Sequence, residues 1–367
     1  MPALVPSYLT QWLAPLSESL HSGQGNPCLT GLHGSAGALA LTLLAQSSPS
    51  GSPHHGSWLI LTTTNESAER LYDDLRFFHQ LFGLAEDRLA FFPKWETLPY
   101  ESTAPNVELV ARRMRTLQRL QGQDHTILVT CVPAVIQRVI PLEIFTSSIL
   151  RLKPVASIER EILVSSLLQL GYQRSTVVEI PGQFSIRGGI VDMFSTAYPD
   201  PLRVEFLGDT VESLRFFDPA TQKSTDKIRE AIVLPARELI RAAGSPDPLR
   251  LLAPDAEWRA PSVYDRMDSL LDYFQRPPIL ALDQPDALKS EAAAFWVGIN
   301  EGYLRHEDRT TADPYPTPDG LYLPWDAILE QSERNSCLAL EPIAAPNESW
   351  RPIVSSPTQA PASVGLG

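Results

Sequence analysis

Hydrophobic and polar positions in the first part of the chain follow two different periods. Continuous apolar runs, such as WLILTT (58–63) and TILVTCV (126–132), are typical of buried strands. Between them, apolar residues recur every three or four positions, as over 65–82, and this spacing predicts amphipathic helices. Fully apolar strands alternating with helices indicate a mostly parallel sheet covered on both faces. The pattern predicts an α/β half-domain over residues 1–145.

The pattern changes near residue 147. One predicted helix, at about 157–170, precedes short segments with strand character, which turn sequences such as PG, GG and YPDP separate. The predicted strands are TVVEI (176–180), FSIRG (184–188), GIVDMF (189–194), LRVEFL (202–207), VESLRFF (211–217) and AIVLPA (231–236). This pattern predicts an antiparallel α+β module inserted at 146–234.

Helix and strand alternate again after residue 235. SVYDRMDSLLDYF (262–274) predicts a helix, PILALD (278–283) a buried strand, and 287–304 a further helix. Residues 235–345 are therefore expected to form the second part of the α/β domain. The Pro- and Ser-rich stretch 346–367 is expected to be a linker tail that leads to further domains.

Composition narrows the class of protein. The net charge of −13 over 367 residues argues against broad nucleic-acid binding, although residues 151–230 are near neutral, with 10 Lys and Arg against 11 Asp and Glu. Three widely spaced cysteines fit a cytoplasmic protein without disulfides, and no metal-ligand spacing is present. The run RRMRTLQR (112–119) predicts arginines spread around a helix, on a solvated face or at a domain contact.

A glycine-spaced loop follows the first predicted strand. The stretch GLHGSAGAL lies between that strand and a helix over 36–46, where phosphate-binding loops occur. The residues that match such a loop are Gly31, Gly34, Ser35, Gly37 and Ala38. Gly37 stands where the phosphate-binding Lys is required and Ala38 where the magnesium-binding hydroxyl is required. Taken alone, the stretch favours an ordinary strand–helix loop of small residues over a phosphate-binding loop.

A second motif associated with nucleotide hydrolysis lies at the end of the predicted strand ILALD (279–283). Asp283 stands where a nucleotide-hydrolysing motor needs an acid for magnesium, and Gln284 stands where it needs the glutamate that activates water. The sequence thus predicts two vestigial motifs, each without its catalytic side chain.

Three stretches resemble known repair proteins. LLDYFQRPPILALDQ is similar to a region of the excision-repair protein UvrB, and QFSIRGGIVDMF with LRVEFLGDTVESLRFFDPATQ resembles the UvrB-type module that docks onto UvrA. FPKWETLPYESTAPN followed by RRMRTLQRL resembles the bacterial transcription-repair coupling factors (Mfd). Together these cover about residues 25–345. The chain resembles the N-terminal UvrB-homology region of that family.

The resemblance implies a degenerate helicase or RecA-like fold with an inserted UvrA-interaction module. It implies no ATP hydrolysis and no cofactor in this segment, since the family's ATP-dependent motor and its RNA polymerase and DNA contacts lie downstream. Between Tyr100 and Val107 the chain has no room for the long DNA-clamping hairpin of UvrB. The alternative is an ATP-dependent, damage-binding protein in the manner of UvrB. A third possibility is a surviving nucleotide site without hydrolysis.

The same resemblance assigns residues that contact UvrA. The positions matching the docking motif are Phe184, Arg187, Gly188, Gly189, Asp192 and Phe194, with Arg174 as a neighbour. Arg187 is the principal candidate because guanidinium groups make planar, bidentate hydrogen bonds with carboxylates. Its alternative role is an internal ion pair with Glu205 or Asp192, and the alternative for Phe194 is a place in the core. The face used by Arg203 and Arg215 is left open.

Overall fold

A computed structural model gives the structure of the chain and describes ten stretches of it. They are residues 7–22, 27–46, 56–101, 103–122, 125–154, 158–240, 255–307, 315–332, 337–342 and 351–355. The strands are β1 (Pro27–Thr30), β2 (Trp58–Thr62), β3 (Leu89–Phe92), β4 (Ile127–Cys131), β5 (Leu150–Leu152), β6 (Gln173–Arg174), β7 (Gln183–Arg187), β8 (Ile190–Met193), β9 (Leu202–Leu207), β10 (Thr210–Phe217), β11 (Ser224–Ile228), β12 (Ala231–Val233), β13 (Ile279–Asp283), β14 (Cys337–Glu341) and β15 (Arg351–Ser355). The helices are α1 (Ser7–Ser22), α2 (Ala36–Gln46), α3 (Asn65–Phe82), α4 (Val107–Gly122), α5 (Val132–Val135), α6 (Leu142–Ser148), α7 (Arg160–Gln169), α8 (Pro285–Glu307), α9 (Pro318–Leu321) and α10 (Trp325–Ser332).

A seven-stranded parallel sheet forms the larger layer. Its order is β15-β1-β14-β13-β2-β4-β3, and every pairing in it is parallel. Strands β1 to β4 are buried along their whole length, as their continuous apolar runs predict. The prediction of a parallel α/β sheet is therefore confirmed.

The inserted module contains a six-stranded sheet in the order β11-β10-β9-β8-β7-β6. Its pairings are antiparallel, except that β6 runs parallel to β7. A separate ribbon pairs β5 with β12, so the start and the end of the module lie side by side. The predicted antiparallel sheet is confirmed, and the chain returns from it to the parallel sheet at β13.

Two predicted elements are wrong. TVVEI (176–180) is not a strand, because the edge of β7 that it would need is already paired with Gln173 and Arg174. The backbone amides of Glu179 and Ile180 instead donate hydrogen bonds to the side-chain oxygen of Gln183. Residues 262–274 do not form an α-helix: Asp268 pairs with Val139 in a β-bridge, and only short 3-10 turns flank it. In both places tertiary hydrogen bonds override the local pattern.

Three strands have weak or ambiguous sequence patterns and were not predicted. β11 is polar and almost fully exposed, and β5 has only three residues. β14 follows residues 333–336, which lie outside the described part of the chain. The stretch predicted as a linker tail contains β15, which pairs with β1 at the sheet edge. The other residues of that stretch lie outside the described part of the chain. None of the described helices combines the length and apolar character needed to cross a membrane.

A buried ion pair joins the parallel sheet to the inserted module. Arg113 of α4 is fully buried, and its Nε donates to Glu238, which follows β12. The guanidinium lies 4.1 Å from the ring centroid of Phe92 and 4.8 Å from that of Trp95, and it also donates to the Pro93 carbonyl. Of the four arginines predicted to spread around this helix, one is therefore a core residue.

We expect Arg113→Ala to destabilise the fold strongly. The substitution leaves Glu238 buried without its counter-charge, and breaking such a pair typically costs about 3–5 kcal/mol. Urea unfolding measures this directly, with the exposed neighbour Arg112→Ala as matched control, expected within about 0.5 kcal/mol of wild type. Equal stability of the two variants would contradict the structural role of the ion pair.

A second acid near this junction predicts a pH dependence. Burial raises the pKa of Glu257 to about 7, although Arg237, 3.8 Å away, acts to lower it, while Glu238 and Asp255 add to the rise. A carboxyl group whose pKa is higher in the folded state stabilises the fold at low pH. That stabilisation is lost as the pH rises from the unfolded value towards 7.

We therefore expect wild type to lose more stability than Glu257→Gln between pH 5 and 8. The difference is at most about 3 kcal/mol, since one pKa unit corresponds to about 1.4 kcal/mol. Urea midpoints measured for both proteins across this range test it. Parallel pH profiles would show that Glu257 does not titrate in this interval.

Candidate functional site

The antiparallel sheet of the module has one apolar and one charged face. Paired residues in adjacent strands share a face. One row across the sheet consists of Ile186, Val191, Val204, Leu214 and Ile228, and these pack in or against the main core. The neighbouring row on the opposite face consists of Ser185, Asp192, Arg203, Arg215 and Lys227. Alternation thus brings positive side chains from several strands onto one surface.

Asp192 organises this surface, which we call the arginine face and define by Arg187, Asp192, Arg203, Glu205 and Arg215. The Asp192 carboxylate is 1 % exposed and accepts from Arg203 Nε at 2.7 Å and Nη2 at 3.0 Å. Its Oδ2 also accepts from Arg187 Nη2 at 3.0 Å. One buried acid therefore holds two arginines in fixed positions.

Arg203 is held on its other side by an aromatic ring. Its guanidinium lies 4.8 Å from the ring centroid of Phe217, which packs with Val178 and Phe194 in a small cluster apart from the main core. The hydrogen bonds to Asp192 raise the pKa of Arg203 above its ordinary value, so the group stays charged. This cluster supports the arginine face from below.

Arg187 keeps donors for a partner. Its side chain is 50 % exposed, although Nη2 donates to Asp192 and to the Gln222 side chain at 3.2 Å. Gln222 has a φ of 60°, which turns the chain between β10 and β11 and directs its side chain towards Arg187. Arg187 is thus both internally paired and accessible. Of the two internal partners that the sequence suggested, Glu205 and Asp192, the structure shows the ion pair with Asp192.

Two glycines shape the turn next to Arg187. Gly188 has a φ of 57°, a left-handed conformation that favours glycine. A Cβ on Gly189 would lie 3.0 Å from the Phe206 carbonyl oxygen, and the Gly189 carbonyl accepts the Phe206 amide at 2.8 Å. The pair therefore allows a two-residue hairpin to lie flat against β9, which leaves Arg187 at an open edge.

The other predicted contact residues have different positions. Phe184 is fully buried in the main core, so the prediction that it contacts a partner needs correction: on the inward row of β7 it packs the module. Phe194 is 7 % exposed and supports Arg203 through Phe217. Arg174 is exposed on the edge strand β6. Among these side chains, Arg187 and Arg174 remain open to a partner.

Sequence reasoning missed Gln222 and left Arg203 and Arg215 unplaced. Arg215 lies on the same face as Arg187, 3.9 Å from Glu205. Once the register of the hairpin formed by LRVEFL and VESLRFF is known, the alternation of side chains along each strand places Arg203 and Arg215 on one face. For Gln222, the only local signal is the turn sequence DPATQ, which does not specify a positive φ.

The predicted vestigial nucleotide loop lies at the carboxyl edge of the parallel sheet. Gly31 and Gly34 have positive φ values of 77° and 56°, and Ser35 precedes α2, whose first turn contains Gly37 and Ala38. A Cβ on Gly37 would meet nothing within 4 Å. The backbone at the position of the missing lysine therefore leaves open space around a Cβ atom.

Carboxylates cluster beside this loop. Asp283 ends β13, Glu341 ends β14, and β14 lies between β13 and β1. The Gly31 amide donates to the Glu341 carbonyl and the Gln284 amide to the Leu340 carbonyl, so both motifs are fixed to β14. Burial raises the pKa of Asp283, and burial together with Asp286 and Asp283 raises that of Glu341. The carboxyl groups of Asp283, Asp286 and Glu341 therefore lie close together at this edge of the sheet.

Comparison with known proteins identifies the region that contains the arginine face. Residues 150–239 match the UvrB interaction domain. The chain is 35% identical over 251 residues to a transcription-repair-coupling factor from Myxococcus xanthus, a match that covers 68% of this chain and 20% of the relative.

Two further relatives carry the same name. The protein from Bacillus subtilis is 32% identical over 224 residues, covering 61% of this chain and 18% of the relative, and that from Escherichia coli is 29% identical over 204 residues, covering 55% and 17%. The chain thus spans about a fifth of the length of the curated relatives it matches. It carries a UvrB interaction domain within a region homologous to the N-terminal part of the transcription-repair-coupling factors.

Proposed function

We propose that this region recruits UvrA and so links stalled transcription to nucleotide excision repair. The observation that carries the proposal is the arginine face, which lies inside the segment matching the UvrB interaction domain. Interface hot spots favour arginine, and a guanidinium that is already fixed loses little conformational freedom on binding. Arg187, half exposed and held by Asp192, has both properties.

The chemistry of the face favours an acidic patch on the partner. Arg187 and Arg215 are each at least one-third exposed, and Asp192 neutralises charge only from below the surface. Because a guanidinium has five N–H donors, Arg187 can keep its bonds to Asp192 and Gln222 while binding a partner carboxylate. Arg174 extends the proposed contact along β6.

We further propose that the parallel sheet is a degenerate helicase or RecA-like fold without ATP hydrolysis. The glycine loop and Asp283 lie on either side of β14 at the carboxyl edge, where ligands of parallel sheets bind. The missing lysine and the half-buried acids Asp283 and Glu341 oppose the binding of a polyphosphate. The competing proposal, a UvrB-like ATP-dependent protein, needs the side chains that Gly37 and Gln284 replace.

In the complete protein, we propose that a downstream motor supplies ATP hydrolysis and contacts with DNA and RNA polymerase. The name shared by the relatives and the one-fifth coverage of their length support this arrangement. Cys28, Cys131 and Cys337 are buried free thiols, which supports a place in the reducing cytoplasm.

We expect Arg187→Ala to weaken UvrA binding about thirtyfold, since removing one interface anchor often costs about 2 kcal/mol. Calorimetric titration of UvrA into the chain measures the affinity. The matched control is Arg151→Ala, whose side chain is 67% exposed on β5, outside the arginine face, and it should bind like wild type. Equal affinity of the Arg187 variant would refute the site, while no binding by wild type would refute the function.

We expect no ATP hydrolysis by the chain, with or without DNA, and nucleotide binding weaker than about 1 mM. A coupled phosphate-release assay and a fluorescent ATP analogue measure the two quantities. Gly37→Lys, whose Cβ would meet no neighbouring atom within 4 Å, should strengthen nucleotide binding without restoring hydrolysis, because the magnesium-binding hydroxyl and the water-activating glutamate stay absent. DNA-stimulated hydrolysis by wild type would favour the UvrB-like alternative.

A further inference from the structure

A basic groove lies on the parallel sheet, remote in sequence from the UvrB interaction domain. It has a volume of about 520 Å³ and lies between α3 and α4, across the edge strand β3. The charged residues that line it are Arg76, Arg112, Arg115, Arg119, Glu69 and Asp73. We call it the α3–α4 groove, and positive charge prevails in it although the whole chain carries −13.

Three of these arginines form one row on α4. Arg112, Arg115 and Arg119 follow helical spacing and extend over about 10 Å of the helix axis. Burial lowers the pKa of Arg115, and the neighbouring Arg112 and Arg119 lower it further, while Glu108 in the first turn of α4 acts to raise it. Like charges are therefore held together on a partly desolvated surface, an arrangement that a bound anion stabilises.

The row is short of carboxylates. Arg76 has Asp73 and Glu86 at 3.7 Å, but Arg112 has no described carboxylate within ion-pair distance, and its guanidinium lies 5.6 Å from the ring centroid of Phe91. Arg119 donates to the Leu89 carbonyl and thereby positions the row against β3. Arg112 and Arg115 are the two groups of the row that can pair with a ligand without breaking a hydrogen bond to β3.

The groove is closed to two common modes of recognition. Arg119 and Thr116 occupy the carbonyls of Leu89 and Phe91 on the outer edge of β3, so an added strand finds these acceptors already used. The ring centroids of Tyr72 and Phe91 lie 5.8 Å apart. Because Arg76 lies near the first ring and Arg112 near the second, neither ring offers a free face on which a nucleic-acid base could stack.

From these contacts we propose that the α3–α4 groove binds a short acidic segment of a protein partner, through carboxylates spaced to match Arg112, Arg115 and Arg119. Carboxylates three or four residues apart on a helix lie about 5–6 Å from each other, which matches the spacing of the row. A longer polyanion would extend over Glu69, Asp73 and the acidic remainder of the chain, whereas a short segment would not. This contact is separate from the arginine face and does not depend on the proposed UvrA binding.

Fluorescence anisotropy on the full chain tests the proposal. The probe is a labelled alanine-based helical peptide of about 15 residues with glutamates at i, i+3 and i+7. We expect it to bind with an affinity that falls as salt rises above about 0.15 M, and the peptide with glutamines instead should not bind. In Arg112→Gln/Arg115→Gln the affinity should fall at least about tenfold.

The matched control is Arg70→Gln, an exposed arginine of α3 that does not line the groove, and it should bind like wild type. Circular dichroism of each variant checks that its helix content equals that of wild type. Absence of glutamate-peptide binding, or equal binding by the double variant, would overturn the proposal. Preferential binding of a single-stranded oligothymidylate of about 12 nucleotides would overturn it in favour of nucleic acid.

Discussion

The ion pair between Arg113 and Glu238 is the contact on which both proposed surfaces depend. It joins α4, which packs along the edge of the parallel sheet, to the segment that leaves the inserted module. Because Arg113 faces inward, helical periodicity places Arg112, Arg115 and Arg119 on a neighbouring face of α4, at the α3–α4 groove. One buried guanidinium thus sets both the attachment of the module and the orientation of the α3–α4 groove. Because removal of either partner leaves a buried charge without its counter-charge, the pair ties these two elements together.

The insertion also leaves the parallel sheet whole. The chain departs after β4 and returns as β13, which pairs with β2, so the carboxyl edge keeps the loop after β1 and the acid after β13 close to the same strand. Both loops are therefore held to β14, and the carboxyl groups of Asp283 and Glu341 lie beside them. In this proposal the parallel sheet serves as a rigid support, and the binding function lies in the inserted module and on α4.

Segments with strong hydrophobic periodicity were predicted correctly. Where contacts between residues distant in sequence determine the conformation, the prediction from local sequence failed. The continuous apolar strands β2 and β4 and the antiparallel module follow from local sequence. The failure at 262–274 has a tertiary cause, since Asp268 pairs with Val139 and the Tyr273 hydroxyl donates to Ile140. At the candidate site, Arg187 could be chosen from its motif. The shared face of Arg203 and the support from Gln222 needed the register and a turn conformation that no local pattern encodes.

The burial of Asp192 has a consequence for how such a surface is mapped. Scans that replace only exposed residues would pass over it, although it is the residue that fixes two arginines at once. Its loss would free both arginine side chains and also remove the negative charge beside them, so the face would become more positive while the entropic advantage of a prearranged surface disappeared. Variation at this hidden position would therefore be harder to interpret than variation at the arginines themselves.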